Sequence, residues 1–303
     1  MLTPVTILLI LLGLVAIAFV VVWGASLTRR RQWQWPGSTF QVIGFVTNFF
    51  DTLGIGSYAT TTAAYRLKQL ITDEMLPGTL NIGHCIPIVL QAFIYMSIVK
   101  VNGWTLTLMI AAAVLGAWLG AGWVVRLSRR TIQMCLGIAL LLAAALLLAK
   151  LLNYLPAGGN TLSLHGTWLM VAIACNFVFG ALMMIGVGAY APIMIMVSLL
   201  GMNPTTAFPI MMGSCAFLAP VGGAQFLKKE KYNAPAALGL TLGGIPAVLI
   251  AAFLVRELPL DFVRWLVLFI AVYTAIGLLR SAFQMRLIHK KCDVDRVEVI
   301  QQV

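Results

Sequence analysis

GIGSYA at residues 54–59 and GVGAYA at residues 186–191 decide the fold. Each lies within an apolar stretch, 38–70 and 168–200, that is too long for one ordinary membrane span of about 20 residues. Paired glycines release the backbone from helical geometry, so each stretch reads as a helix broken at mid-depth. Further matches follow in the same order. GHC at 83–85 resembles GSC at 213–215, and Val125-Arg126 closes one helix as Val255-Arg256 closes its counterpart. The offset between matched segments stays near 130 residues. The chain therefore reads as an internal duplication. Residues 1–37 form an N-terminal transmembrane helix and a basic cytoplasmic loop, and 38–153 a first membrane repeat. An external linker follows at 154–167, then a second repeat at 168–285 and a cytoplasmic tail at 286–303.

Composition says what surrounds these breaks. The 303 residues are 61% hydrophobic and 10% charged, with mean hydropathy +0.98. A soluble domain carries about 25% charged residues. The chain is thus expected to be an all-α integral membrane protein, because helices satisfy their own backbone groups in lipid. Apolar segments at 4–27, 77–99, 104–125, 131–149, 204–227, 233–255 and 262–284 supply the full crossings. The first lacks a basic region before it and a small-residue cleavage site after it, so it reads as a span and not a signal. The net charge of +11 is spread in short clusters between apolar stretches. That pattern points to membrane lipid, with no nucleic acid partner. Cys85, Cys135, Cys175, Cys215 and Cys292 form no CxxC pair and read as small buried hydrophobes. No metal and no cofactor is expected.

The positive charges set the orientation. If each broken stretch enters and leaves on one side, sixteen of the twenty Lys and Arg residues fall on the cytoplasmic side. Only Lys100, Lys150, Arg256 and Arg264 fall outside. This agrees with the positive-inside rule. Each repeat is then a re-entrant broken-helix hairpin plus three transmembrane helices. An odd number of crossings makes the second repeat inverted. Inverted repeats with discontinuous helices are a recurrent transporter design.

Two glycine breaks at equivalent places suggest one shared cavity. The second half-helices start near Ser57 and Ala189, and their free N–H groups favour an anion. Gly54, Gly56, Gly186 and Gly188 let the backbone approach it. Ser57, Tyr58, Thr61 and Tyr190 offer hydroxyls, as does Ser214 in GSC. Asp51 and His84 are ionisable groups deep in apolar sequence and candidates to meet at one site and carry a coupling proton. Asn81, three residues from His84, joins the substrate-binding set together with His84, while Asn48, Asn176, Gln91 and Gln225 read as helix-to-helix hydrogen bonders. Pro87, Pro209, Pro220 and Pro246 are expected to bend or break their helices. The GxxxG pairs Gly116/Gly120 and Gly239/Gly243 mark close helix packing, and small-residue faces of this kind allow a homodimer.

These features resemble the TauE/SafE-type sulfite exporter family over roughly residues 38–285. The likeness is carried by GIGS and GVGA, LGGIPA at 242–247 and VLGAWLGA at 114–121. Family members have glycine-richer breaks, where this chain has Ser57-Tyr58 and Ala189-Tyr190. The resemblance implies a multi-pass permease of the cell (inner) membrane that moves a small anion such as sulfite or an organosulfonate, coupled to protons or another ion. An anion channel or a non-transporting membrane protein is the alternative. An enzyme with a Ser57 nucleophile and a His84 base is not expected, because the second repeat has Ala189 at the serine position.

Overall fold

The computed structural model describes residues 3–154, 159–186 and 188–254, and then 265, 268–269, 272–273, 275–280 and 282–283. The expected tail at 286–303 and the Val255-Arg256 helix end lie outside these residues, as does part of the span at 262–284. Among the described residues the regular structure is helical, with one isolated backbone bridge between Thr161 and Met202. The helices are α1 (Pro4–Arg29), α2 (Ser38–Thr52), α3 (Ser57–Leu67), α4 (Leu76–Gly83), α5 (Cys85–Ile98) and α6 (Gly103–Val124). They continue with α7 (Arg129–Leu151), α8 (Gly166–Met183), α9 (Tyr190–Leu199), α10 (Ala207–Lys229) and α11 (Ala234–Leu254).

Local chemistry sets several boundaries. Thr3 caps α1 by accepting the Thr6 N–H at 3.2 Å, with Pro4 in the first turn where a missing N–H costs little. Asn102 caps α6 by accepting the N–H groups of Trp104 and Thr105. Among the described residues, five helices, α1, α6, α8, α10 and α11, are long and apolar enough to cross a membrane, and α4 with α5 makes a sixth if counted as one span.

That sixth span is bent, as expected of a helix that carries Pro87: within residues 77–99, α4 and α5 meet at His84 with a bend of 43°. Pro87 has no N–H to donate to the Gly83 carbonyl four residues back. The Thr241 hydroxyl of α11 donates to that carbonyl instead, at 2.8 Å. Pro220 and Pro246, by contrast, lie inside α10 and α11, which run on through them unbroken. Pro209 sits in the first turn of α10 and breaks nothing.

α10 is central, with 83% of its apolar window buried, and α1 is peripheral, with 17%. The two most extensive helix interfaces are α2 on α11 and α6 on α8. Both are sealed by glycine. A Cβ on Gly116 or Gly180 would fall 1.9 Å from the Phe177 carbonyl oxygen or 2.1 Å from that of Ala113. A Cβ on Gly243 would fall 2.0 Å from the Gln41 carbonyl oxygen. Both GxxxG faces are therefore used inside the chain, which leaves neither for a second copy.

The loops gather at two ends. At one, Arg30 pairs with Glu230 (2.9 Å), Asn233 N–H donates to Thr79 Oγ1, and Asp73 bonds both Arg66 and Gln133 at 2.6 Å. This end collects most of the basic residues and both ends of the α2–α3 pair. At the other, Asn102 N–H donates to the Leu162 carbonyl, and Asn203 N–H to that of Thr161. Both ends of the α8–α9 pair lie there. α8 is 18 residues long, roughly 27 Å, and so exceeds the 15 residues of α2.

Candidate functional site

The two breaks form as the glycines require. Gly54 (φ +88°) and Gly56 (φ +93°) turn the chain between α2 and α3, and Gly186 (φ +101°) turns it after α8. L side chains resist such values. α3 starts at Ser57 and α9 at Tyr190, within one residue of the expected starts.

The breaks face each other. A Cβ built on Gly56 would lie 4.0 Å from Tyr190 Cβ, and one on Gly188 would lie 3.8 Å from Tyr58 Cβ. Each tyrosine follows its own glycine by two residues and packs on the other one. Their hydroxyls then reach two amides on the bent α4–α5 span. Tyr58 donates to Asn81 Oδ1 (3.2 Å), and Asn81 Nδ2 donates to the Met183 carbonyl at the end of α8 (3.3 Å). Tyr190 donates to Gln91 Oε1 (2.8 Å), and Gln91 Nε2 donates to Asp51 Oδ2 (3.0 Å) and Thr52 Oγ1 (3.1 Å) at the end of α2. Each hairpin is thus tied through an amide to the first arm of the other.

Asp51 is 1% exposed. Besides Gln91, its Oδ2 lies 3.4 Å from the Tyr190 hydroxyl, and the Ser57 hydroxyl and backbone N–H also face the carboxylate. His84 is fully buried in a separate cluster. Its Nδ1 lies 2.9 Å from Asn48 Oδ1 and its Nε2 3.0 Å from Thr61 Oγ1. Asn48 Nδ2 donates to the Gly44 and Leu240 carbonyls, so Oδ1 is the acceptor and Nδ1 carries a proton. Nε2 is then free to accept the Thr61 hydroxyl in a neutral ring. Asp51 and His84 do not touch. The link between their clusters is Thr52, which accepts from Gln91 and donates to the Asn48 carbonyl. Ser57 and His84 form no hydrogen-bonded pair either, since Thr61 and Asn48 hold both ring nitrogens.

The remaining expected residues are scattered. Ser214 lies apart and accepts from Asn176 Nδ2 at 2.9 Å, while the same nitrogen donates to the Met109 carbonyl. Gly54 packs on Phe208, and Gly186 on Leu136 and Leu80. Ala189 borders an open apolar groove of about 680 Å³, with Gly188, Pro192, Cys135, Leu142 and Phe179. A cleft of about 880 Å³ lies away from the centre, at the basic end, beside Arg66, Asp73 and Arg280. Gln91 and Asn48, read from sequence as ordinary helix packers, are the residues that organise the two clusters. The available signal was spacing: Gln91 stands two turns beyond His84, and Asn48, Asp51 and Thr52 share a helix face at i, i+3 and i+4.

No family, no curated protein and no solved structure matches the chain in the comparisons made.

Proposed function

We propose that the chain is an integral membrane secondary transporter of a small anion, such as sulfite or an organosulfonate. In this reading it has two inverted repeats, each a re-entrant hairpin plus three crossings, as in the TauE/SafE-type exporters it resembles. It lies in the cell (inner) membrane with its C-terminus in the cytoplasm. The observation that carries the reading is the meeting of two broken helices at one buried centre, Gly56 on Tyr190 and Gly188 on Tyr58. Non-helical backbone at membrane depth is tolerated where protein shelters it or where it lines a substrate path. The placement of the hairpin ends supports the inversion, since α2–α3 opens at the basic end and α8–α9 at the opposite one. The basic clusters support the orientation. Coupling to a proton would run through Asp51 or His84, the buried carboxyl and imidazole of the two clusters beside the breaks.

The test is flux into proteoliposomes. Sulfite, sulfate, thiosulfate, sulfoacetate, taurine and simple carboxylates are offered with and without a pH gradient. Saturable flux of a sulfur oxyanion, lost in Ser57→Ala and Gly56→Ala, is expected. Absence of flux for every anion under either gradient overturns the proposal, and unsaturable conductance makes the protein a channel.

A further inference from the structure

We propose that the donors gathered on Asp51 are the subsite for the anionic head of the substrate, and that the Asp51 carboxylate is its tethered occupant in this structure. The inference rests on the transport reading for the word substrate.

Three helices build the subsite. Gln91 Nε2 donates from α5 at 3.0 Å, the Tyr190 hydroxyl of α9 stands 3.4 Å away while it donates to Gln91 Oε1 at 2.8 Å, and the Ser57 hydroxyl and N–H come from α3. All three side chains are at least nine-tenths buried. Capping α3 alone would require Ser57 and nothing from α5 or α9. The partners of Asp51 are all neutral donors, the set needed to replace the water around a buried oxyanion. A carboxylate, a sulfonate and sulfite each present a comparable oxygen edge, so the same donors suit any of them. Two anions repel at one donor set unless one of them takes up a proton, so an arriving head group displaces the Asp51 carboxylate or neutralises it. The second break has no such cluster. Its corresponding positions, 132 residues on, are Met183 and Ala189.

Emptying the subsite tests this directly. Full-length protein in nanodiscs is melted in formate, acetate or methanesulfonate, with acetamide as the neutral control. Asp51→Ala is expected to gain a saturable rise in Tm with the anions and not with acetamide. Wild type should need at least about tenfold more anion, because its binding-competent fraction is reduced by the occupant. Adding Gln91→Leu should erase the gain. Identical melting of Asp51→Ala in anions and acetamide overturns the inference. If Asp51→Ala cannot be recovered without anion, recovery in formate but not in acetamide supports it. If it cannot be recovered at all, Asp51→Asn replaces it, and the same anion response as wild type overturns the inference. The two proposals fail separately. Anion-stabilised Asp51→Ala without wild-type flux leaves the subsite and removes transport. Flux without anion-specific stabilisation does the reverse.

Discussion

The break at Gly54–Gly56 has polar neighbours, whereas the break at Gly186–Gly188 borders an open apolar groove. Around the first stand Asp51, Thr52, Ser57 and, from other helices, Gln91 and Tyr190. Around the second stand Met183, Ala189 and Pro192 and, from other helices, Tyr58 and Asn81, beside a groove walled by Leu142 and Phe179. The frames nevertheless correspond. Asn48 joins His84 to the Leu240 carbonyl of α11, and Asn176 joins Ser214 to the Met109 carbonyl of α6. The difference teaches that the two halves share their packing and not their chemistry. The second half supplies a tyrosine and a close backbone, and the first supplies most of the polar groups.

Copying one break into the other is the strongest test of that division. Asp51→Met fills the subsite with an apolar chain and strands buried donors, at about 1–3 kcal/mol each. Flux should fall at least about 100-fold, two such donors' worth. Met183→Asp in the same chain should restore none of it, and restoration would show that the halves are interchangeable. Next in size is the shared frame. Gly116→Ala and Gly243→Ala each press a Cβ onto rigid backbone, at 1.9 Å and 2.0 Å. Each should lower stability by about 1–3 kcal/mol, seen as similar drops in Tm. Strongly unequal drops would break the packing correspondence.

Two smaller effects sharpen the contrast at the centre. Gly56→Ala forces a non-glycine residue to φ +93° and should cost about 1–3 kcal/mol in thermal or chemical unfolding. Gly188→Ala meets Tyr58 Cβ at an ordinary 3.8 Å and should cost less. Tyr190→Phe removes a hydroxyl shared by Gln91 and Asp51, and Tyr58→Phe one that serves Asn81. Substrate affinity, measured by calorimetry, should drop by no more than about tenfold in the first, one hydrogen bond's worth, and less in the second.

The breaks and the helix positions were legible because glycine pairs and apolar runs are local features. The bend at His84 was half legible: Pro87 announced a missing donor, but the hydroxyl that completes Gly83 comes from Thr241. Partners were not legible. Gly116 and Gly243 announced close packing, yet apolar helices of similar composition do not say which neighbour they meet. Gln91 looked like any amide in an apolar helix until the fold set it against Asp51. The separation of Asp51 from His84 was equally hidden, because it depends on how α2 turns its face towards α5.

The pairing of α2 with α11 also bears on how the protein is made. Asn48 and the Leu240 carbonyl that it reaches are 192 residues apart. At about 5–20 residues per second, the ribosome takes roughly 10–40 s to supply the second after the first. Throughout that interval α2 carries Asn48 and Asp51, groups that hydrocarbon rejects, without the helix on which it packs. The first hairpin must therefore wait in a sheltered or surface position during synthesis, and truncation before α11 should expose it to quality-control proteolysis.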